Sequence, residues 1–374
     1  MDSQELLEMF RQFEIELVTG VPDSLLDSFI KELDNPENSF QHLVAANEGN
    51  AVAIGIGHYL ASGKSPVIYM QNSGLGNAIN PLASLTHKNV YSIPLILVIG
   101  WRGEPGLHDE PQHMVQGAIT RTLLENLEIP FVVVGADTPI SEVQQFLSIN
   151  LARSEGPMAI LVRREALSSD KKSYPHASNT TLTREEAISK IADALPNDSI
   201  IVATTGKLSR ELDEKRSREG IAGIDFLTVG GMGHASSIAL GIALTLSQRL
   251  VVCLDGDGAA LMHLGAIAVI GNSKPAHFIH ILINNGVHES VGNSPIGNKD
   301  INFQLFSQAV GYSKYYKITD ANDILRTMQQ AHSGQGPTFI EVLTNSESRP
   351  NLGRPQLTPI KNRDIFANHI RTLS

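Results

Sequence analysis

The sequence alternates short, strongly apolar runs with segments of helical pattern, and this alternation constrains the fold more than any other feature. Apolar strands that alternate with helices are typical of parallel sheets covered on both faces. We therefore predict an α/β fold with two doubly wound parallel-sheet domains, each of about five or six strands. The predicted strands are ELVTGV, FQHLVAAN, VIYMQ, PLILVIG, FVVVG, MAILVR, SIIVATT, DFLTVG, LVVCLDG, FIHILINN and TFIEVL.

One polar segment interrupts this pattern. Residues 168–184 (SSDKKSYPHASNTTLTR) show no hydrophobic periodicity and contain Pro175, which indicates an interdomain linker. We place the first domain at residues 1–168, the linker at 169–183 and the second domain at 184–374. Ligands of such sheets bind at the carboxyl ends of the strands, so the residues that follow each strand are the candidates for function.

Composition excludes several classes of protein. The formal net charge is −10 and aromatic residues make up only 5%, which argues against a nucleic-acid partner and against an anionic membrane surface. The single cysteine, Cys253, lies in an apolar run and cannot form an intrachain disulfide, which favours a reducing compartment. The N-terminal segment lacks a secretory pattern, and every apolar run is shorter than the roughly 18 residues of a membrane span. We therefore expect a cytoplasmic protein.

The strongest local motif joins two strand ends in the second domain. Gly256-Asp257-Gly258 follows one predicted strand, and Asn284-Asn285 follows the next. Glycines in a strand-to-helix turn let backbone N–H groups approach an anion, while a carboxylate and an amide suit Mg²⁺ that also binds phosphate oxygens. Each half alone is also an ordinary turn or helix cap. A dinucleotide-binding fingerprint does not fit, because its third glycine would be Leu261.

This motif, Gly-Asp-Gly followed by 25 residues and Asn-Asn, resembles the signature of thiamine-diphosphate-dependent enzymes. The resemblance implies that Asp257, Asn285 and the carbonyl of Val287 bind Mg²⁺. It also implies that Gly256, Gly258 and Ala259 contact the cofactor diphosphate.

Glu48 is the candidate for the carboxylate that this cofactor needs beside its pyrimidine ring. It lies in LVAANEGNAVAIGIGHYLA, after a strand and at the start of an apolar helix. Such surroundings raise the pKa of a carboxyl and allow it to share a proton with the ring. The alternative is a glutamate in the first turn of a helix capped by Asn47. The pattern Ala-Asn-Glu-x-Asn-Ala resembles the pyrimidine-binding domain of the family's decarboxylase branch.

Two further loops resemble cofactor contacts of the family. Gly230-Gly231-Met232-Gly233 follows a predicted strand, and Met232 holds the position of the bulky residue that supports the bent cofactor. A core methionine near a turn is the alternative. Thr205 and Gly206 follow another strand and resemble the second loop on the diphosphate side.

The resemblance also predicts an assembly. Many members of the family carry a third, central domain, which this chain replaces by a short linker. In the family the cofactor lies between domains of different subunits. We therefore expect self-association, at least into a dimer, with active sites between subunits.

Four stretches resemble compact family members that act on 2-keto acids with an anionic head group: TGVPDSLLDSF, YMQNSGLGNAINPLASL, GWRGEPGLHDEPQH and ESRPNLGRP. The resemblance implies decarboxylation of 3-phosphonopyruvate to phosphonoacetaldehyde and CO₂ in phosphonate biosynthesis. Sulfopyruvate is the alternative substrate, and the single fused chain favours the phosphonate.

Several first-domain residues are candidates for handling this substrate. Arg102 directly follows a strand and suits bidentate recognition of a phosphonate, with Lys88 and Arg121 as further cations. A surface charge or a salt bridge to Glu104 is the alternative for Arg102. Asp23 resembles the family's proton-handling aspartate and His113 is a candidate proton donor, although Asp23 could equally be a helix cap.

Other classes compete with this hypothesis. A carboligase of the same cofactor family lacks support because the chain shows no central domain and no flavin-binding stretch. An NAD-dependent oxidoreductase would explain the alternation of strands and helices, but it would not explain the presence of Asp257, Asn285 and Glu48 in these motifs. A non-catalytic relative is disfavoured because all three of these residues are present.

Overall fold

A computed structural model describes residues 1–35, 38–169, 180–289, 294–296 and 301–373. These residues form two units: unit 1 contains 1–169 and 294–296, and unit 2 contains 180–289 and 301–373. Residues 170–179, most of the predicted linker, lie outside the described residues, so the predicted domain boundaries stay a prediction.

Unit 1 is a six-stranded sheet in the order β2-β1-β3-β4-β6-β5, and all of its strand pairs are parallel. The strands are β1 Leu17–Gly20, β2 Gln41–Val44, β3 Val67–Gln71, β4 Ile96–Gly100, β5 Phe131–Val134 and β6 Met158–Val162. The helices are α1 Ser3–Gln12, α2 Asp27–Leu33, α3 Glu48–Ser62, α4 Leu75–Pro81, α5 Pro111–Asn126 and α6 Ile140–Arg153, with short 3₁₀ or π turns at Ser24–Leu26, Asn72–Gly74 and Leu82–Thr86.

The central strands of unit 1 are apolar throughout because both faces of the sheet are covered. Along β3, Val67 and Tyr69 pack in one hydrophobic cluster, whereas Ile68 and Met70 pack in the other. Successive side chains of a strand point to opposite faces, so one continuous apolar run fills both layers. The edge strand β2 is only half covered, and its residues alternate between exposed and partly buried.

Unit 2 repeats this architecture, with strand order β13-β14-β10-β9-β7-β8 and parallel pairing. Its strands are β7 Ile200–Ala203, β8 Phe226–Leu227, β9 Val251–Gly256, β10 Phe278–Asn284, β13 Lys314–Ile318 and β14 Thr338–Leu343, and two-residue strands β11 Val287–His288 and β12 Ser294–Pro295 follow β10 in the chain. The helices of unit 2 are α7 Arg184–Ala194, α8 Lys207–Arg218, α9 Ala235–Thr245, α10 Asp257–Met262, α11 Gly265–Ser273, α12 Phe303–Ala309, α13 Ile324–His332 and α14 Pro359–Thr372, with a 3₁₀ turn at Ala321–Asp323.

The structure confirms the predicted fold and adds details that the pattern missed. All eleven predicted strands are present, but β13 (KYYKI) was not among them. It pairs only with β14 at the sheet edge, so it lacks the continuous apolar run of a strand buried on both faces. Residues 259–271 (AALMHLGAIAVIG) have a pattern that predicts one helix, but the structure divides it, because His263 leaves the helical conformation between α10 and α11. Among the described residues, no helix combines the length and apolarity needed to cross a membrane.

Candidate active site

Glu48 opens α3 at the carboxyl edge of the unit 1 sheet. Asn47 caps this helix, and its side chain accepts a hydrogen bond from the backbone N–H of Asn50. The Glu48 side chain turns inward, where its Oε2 accepts a 2.7 Å hydrogen bond from the amide of Asn77 on α4. A Cβ at position 74 would overlap the Glu48 carboxylate, so only Gly74 leaves room for it.

Burial dominates the electrostatics of Glu48. The residue is only 4% exposed, and loss of solvation raises the pKa of its carboxyl, while the Asn77 hydrogen bond opposes this change. A carboxyl of this kind keeps its proton to a higher pH than an exposed glutamate does. The helix-cap alternative is therefore incomplete: Asn47 caps the helix, while Glu48 is buried with a side-chain partner of its own.

Asp23 occupies a second buried position at the same sheet edge. Its Oδ1 accepts a 2.6 Å hydrogen bond from the side chain of Gln71, and its Oδ2 accepts one from the backbone N–H of Leu25. Gly100 faces this carboxylate, since a Cβ there would overlap Oδ2. Burial raises the pKa of Asp23, against the effects of the Gln71 bond and of nearby Arg102. Asp23 is thus both a cap of a short 3₁₀ turn and a buried proton-binding group.

Arg102 lies beside Asp23, but its guanidinium is already engaged. Asp109 receives bonds from Nε at 2.8 Å and Nη2 at 2.5 Å, and the Ser24 hydroxyl receives one from Nη1 at 3.0 Å. Burial opposes ionisation of Asp109, but the Arg102 bonds and two backbone N–H groups outweigh it and hold its pKa well below the usual range. The guanidinium edge predicted to bind a phosphonate in bidentate fashion is therefore occupied by Asp109. This agrees with the salt-bridge alternative, except that the partner is Asp109 and not Glu104.

The other predicted substrate residues are not brought together with Arg102. Lys88 forms an ion pair with Glu128 in a cavity at the amino ends of β5 and β6, the opposite edge of the sheet. Arg121 lies on α5 with its guanidinium 5.6 Å from the ring centre of Phe131, the first residue of β5. His113 lies in the first turn of α5, and its backbone packs tightly against Gly103 in the loop after β4.

In unit 2 the Gly-Asp-Gly turn joins β9 to α10 and fixes the Asp257 carboxylate through the backbone. Oδ2 accepts hydrogen bonds from the N–H groups of Asn285 at 3.0 Å and Gly286 at 2.7 Å, and Oδ1 accepts one from Gly258 at 2.7 Å. Asn285 Oδ1 accepts a bond from the N–H of Val287. The turn and the Asn-Asn segment are therefore joined by hydrogen bonds, and both Asp257 and Asn285 line the same pocket.

The Asp257 carboxylate is poised between its charged and neutral forms. Burial raises its pKa to about 6, even though three backbone N–H groups favour the charged form. A cation bound to such a buried carboxylate stabilises its charged form, which burial disfavours.

One pocket of unit 2 brings together nearly all of the predicted diphosphate and metal residues. It is lined by Thr205, Gly206, Met232, Gly256, Asp257, Gly258, Ala259, Asn285 and Val287. Gly231 precedes Met232 with φ +63°, a conformation that favours glycine, and its carbonyl lies 3.0 Å from His234 Nδ1.

The residues of this pocket fit a bound diphosphate and metal ion. Thr204 Oγ1 is buried at the pocket and has no hydrogen-bond partner among the described residues. Buried hydroxyls without a partner are rare, so this atom is suited to an absent ligand. A Cβ at position 258 would overlap the His288 ring, so only glycine lets the turn at the pocket wall pack against that ring. Burial lowers the pKa of His288 to about 4, so this ring is neutral at physiological pH.

Sequence reasoning missed a network of charges at the rim of this pocket. Arg184 donates two hydrogen bonds to Glu211 and one to Glu289, and Lys207 donates to Glu289 and Ser348. These partners are separated by 27 to 141 positions in the chain. Contacts at such separations leave no local pattern, so no signal in the sequence could have found them.

Two family models match the chain, one in each unit. The thiamine pyrophosphate enzyme N-terminal TPP binding domain matches residues 3–124, and the C-terminal TPP binding domain matches residues 214–342.

Curated relatives match almost the whole chain. The phosphonopyruvate decarboxylase of Streptomyces viridochromogenes is 33% identical over 96% of this chain and 92% of its own length. That of Streptomyces hygroscopicus is 32% identical, over 96% and 91%. The sulfopyruvate decarboxylase of Methanosarcina acetivorans is 27% identical over 93% of both chains.

The two units and the two matched domains define the class: the chain belongs to the family of thiamine-diphosphate-dependent decarboxylases. Within that class it is a keto acid decarboxylase, a carboxy-lyase with thiamine diphosphate as its cofactor. The predicted family, reaction class and organic cofactor are thereby confirmed.

Proposed function

We propose that this decarboxylase acts on 3-phosphonopyruvate, releases phosphonoacetaldehyde and CO₂, and serves phosphonate biosynthesis. The observation that carries the proposal is the 33% identity, over 96% of the chain, to a relative named for that reaction. Sulfopyruvate is the second candidate, because a relative named for it matches 93% of the chain. That relative is matched over 93% of its own length, so a fused chain does not separate the two substrates.

Thiamine diphosphate, when bound, supplies a nucleophilic carbon and an electron sink for the loss of CO₂. Glu48 is the residue that activates it in this proposal. Its carboxyl is buried, has a raised pKa and is held by Asn77, so it would hold or release a proton beside the pyrimidine ring of the bound cofactor. Met232, Gly258 and Ala259 line the pocket, where Met232 would support the cofactor and the two small residues would lie against its diphosphate.

Mg²⁺ completes the site in this proposal. Asp257 and Asn285 supply side-chain oxygens and Val287 supplies its carbonyl, which leaves the remaining positions to phosphate oxygens and water. A cation there stabilises the charged form of Asp257, which burial disfavours in the free protein.

Asp23 and His113 remain the proposed groups for protonating the product. The pKa of Asp23 is raised by burial, so its carboxyl can keep a proton and deliver it from its Oδ atoms. Arg102 stays the proposed contact for the anionic head group, now through the N–H groups that Asp109 and Ser24 leave free. We keep Lys88 and Arg121 as weaker candidates, because both lie away from the carboxyl edge of the unit 1 sheet.

Self-association is part of the same proposal, with active sites formed between subunits. Met114, Val115 and Ile119 on α5 expose 45%, 70% and 46% of their surface. Apolar side chains grouped on one helix face are typical of surfaces that bury against a partner.

Side-by-side turnover of phosphonopyruvate, sulfopyruvate and pyruvate by the purified enzyme tests the substrate. We expect the highest kcat/KM for phosphonopyruvate, measured as aldehyde formed with Mg²⁺ and thiamine diphosphate present. A higher value for sulfopyruvate would replace the proposed substrate, and similar values for all three would show that the head group is not recognised.

A further inference from the structure

The amino group of Lys207 lies at the rim of the unit 2 pocket and is held there by two partners. Its Nζ donates hydrogen bonds to Glu289 Oε1 at 2.9 Å and to Ser348 Oγ at 2.8 Å. A lysine ammonium carries three donors, and the described residues offer no partner for the third. The side chain remains 28% exposed, so this donor can reach a ligand in the pocket.

Its partners fix the position of this ammonium. Glu289 also binds Arg184, whose remaining bonds go to Glu211, and all three of these residues are nearly fully buried. The guanidinium of Arg184 is thus committed to two carboxylates. Of the two cations that line the pocket, Lys207 is the more accessible, since its side chain is 28% exposed and that of Arg184 only 7%.

The location of Lys207 also conflicts with local electrostatics. It is the first residue of α8, directly after Gly206, where the positive end of the helix dipole disfavours a cation. The same helix end is a favourable place for an anion, and Thr204 adds a buried hydroxyl without a partner there. A phosphate group at this position would satisfy the helix end, the hydroxyl and the free ammonium donor together.

We propose that Lys207 binds the terminal phosphate of thiamine diphosphate, and that Glu289 and Ser348 are positioning residues that hold its ammonium in place. Lysine suits this task as a compact charge that contacts phosphate oxygens. The contact would give the enzyme selectivity for the diphosphate over the monophosphate form of the cofactor. The proposal rests on the cofactor and does not depend on which keto acid is the substrate.

The alternative is that Lys207 only neutralises the buried Glu289. The two roles differ in one readout, because only a phosphate contact makes the effect of the lysine depend on the number of phosphates in the ligand. We suggest measuring dissociation constants of thiamine diphosphate and thiamine monophosphate by titration calorimetry on the full-length protein at saturating Mg²⁺. No keto acid is needed, so failure of the substrate assignment cannot be mistaken for failure of this proposal.

Lys207→Met should weaken thiamine diphosphate binding by about ten- to a hundredfold, the range of a charge-assisted hydrogen bond. Binding of the monophosphate should change by less than about threefold, since no terminal phosphate is present to lose the contact. Lys215→Met is the matched control: Lys215 lies on the same helix and pairs with Asp193 and Glu219, but does not line the pocket. It should leave both constants unchanged. Equal losses for the two ligands, or no loss for either, would overturn the proposal.

A milder variant covers the case in which Lys207→Met does not fold. Ser348→Ala removes one neutral anchor of the ammonium and leaves its bond to Glu289. It should weaken diphosphate binding by about two- to tenfold and leave the monophosphate unaffected. An unchanged ratio of the two dissociation constants in Ser348→Ala would count against the positioning role and against the proposal.

Discussion

Units 1 and 2 both bury a carboxyl group at the carboxyl edge of a parallel sheet, but they hold it in different ways. Glu48 in unit 1 has one hydrogen-bond partner, the side-chain amide of Asn77. Asp257 in unit 2 is held by three backbone N–H groups, which fix both of its oxygens. A group that exchanges a proton needs charged and neutral forms of similar free energy, whereas a metal ligand needs its oxygen atoms held in a fixed orientation. The two environments suit the two roles proposed for these residues, proton exchange for Glu48 and metal binding for Asp257.

Removing the acid–base function of Glu48 should have the largest effect. Glu48→Gln keeps the shape of the side chain and can still pair with Asn77, but it cannot take up or release a proton. We expect kcat to fall by roughly 10²- to 10⁴-fold, the usual contribution of a general acid or base. Calorimetry should show thiamine diphosphate affinity within a few-fold of wild type, and hydrogen–deuterium exchange at the reactive carbon of the bound cofactor should slow in parallel.

Glu8→Gln is the matched control for this variant, because Glu8 is an exposed glutamate on α1 of the same unit. It should leave activity and exchange unchanged. An exchange rate at wild-type level in Glu48→Gln would show that Glu48 does not activate the cofactor. The proposed division of roles between Glu48 and Asp257 would then be wrong.

Asp257→Ala tests the other side of the comparison. The variant loses the proposed metal ligand and leaves the N–H groups of Gly258, Asn285 and Gly286 without their acceptor. We expect binding of Mg²⁺ with thiamine diphosphate to weaken by at least about a hundredfold, more than the 10- to 100-fold typical of residues that only support a ligand. Asp198→Ala, at an exposed position of unit 2, is the control. Cofactor and metal affinity at wild-type level would refute the metal assignment.

The pH dependence of Mg²⁺ binding should also report Asp257. Its pKa of about 6 in the free protein means that protons compete with the metal below pH 6. Mg²⁺ affinity should then fall by about tenfold per pH unit below that value and level off above it. A profile that stays flat from pH 7 to pH 5 would contradict this.

The same group affects the stability of the metal-free protein in the opposite direction from most carboxylates. Its folded pKa of about 6 lies above the ordinary aspartate value of 3.8, so the folded state binds the proton more tightly than the unfolded chain does. The free energy of unfolding should therefore decrease by up to about 3 kcal/mol as the pH rises from about 4 through 6. Because Mg²⁺ removes this penalty, its stabilising effect on the thermal midpoint should be larger at pH 7.5 than at pH 5.5.

The sequence was sufficient to predict the two sheets and to identify the residues that follow their strands. Strands buried on both faces are apolar throughout, and parallel strands bring their carboxyl ends to one edge, so residues as distant as Asp257 and Asn285 could be placed together. The sequence did not predict β13, because an edge strand does not need to be apolar throughout.

Side-chain pairing could not be predicted in the same way. Arg102 was correctly placed after β4, but its choice of Asp109 depends on how the loop between them folds. Asn77 and Gly74 lie on elements remote in sequence from Glu48, and only the packed structure shows that one donates to the carboxylate and the other makes room for it.

Asn77→Ala should have a smaller effect than Glu48→Gln or Asp257→Ala, and it tests whether a single side-chain partner tunes the pKa of Glu48. The Asn77 hydrogen bond lowers the pKa of Glu48 against the effect of burial, so its removal should raise that pKa further. In a plot of kcat against pH, the acidic limb should then move to higher pH by about one unit. Activity at alkaline pH should stay within a few-fold of wild type. Asn77→Asp should move the limb further in the same direction, because a second carboxylate beside Glu48 disfavours its charged form. An acidic limb that stays in place in both variants would mean that burial alone sets the proton affinity of Glu48, and that the side-chain partner which distinguishes it from Asp257 has no functional role.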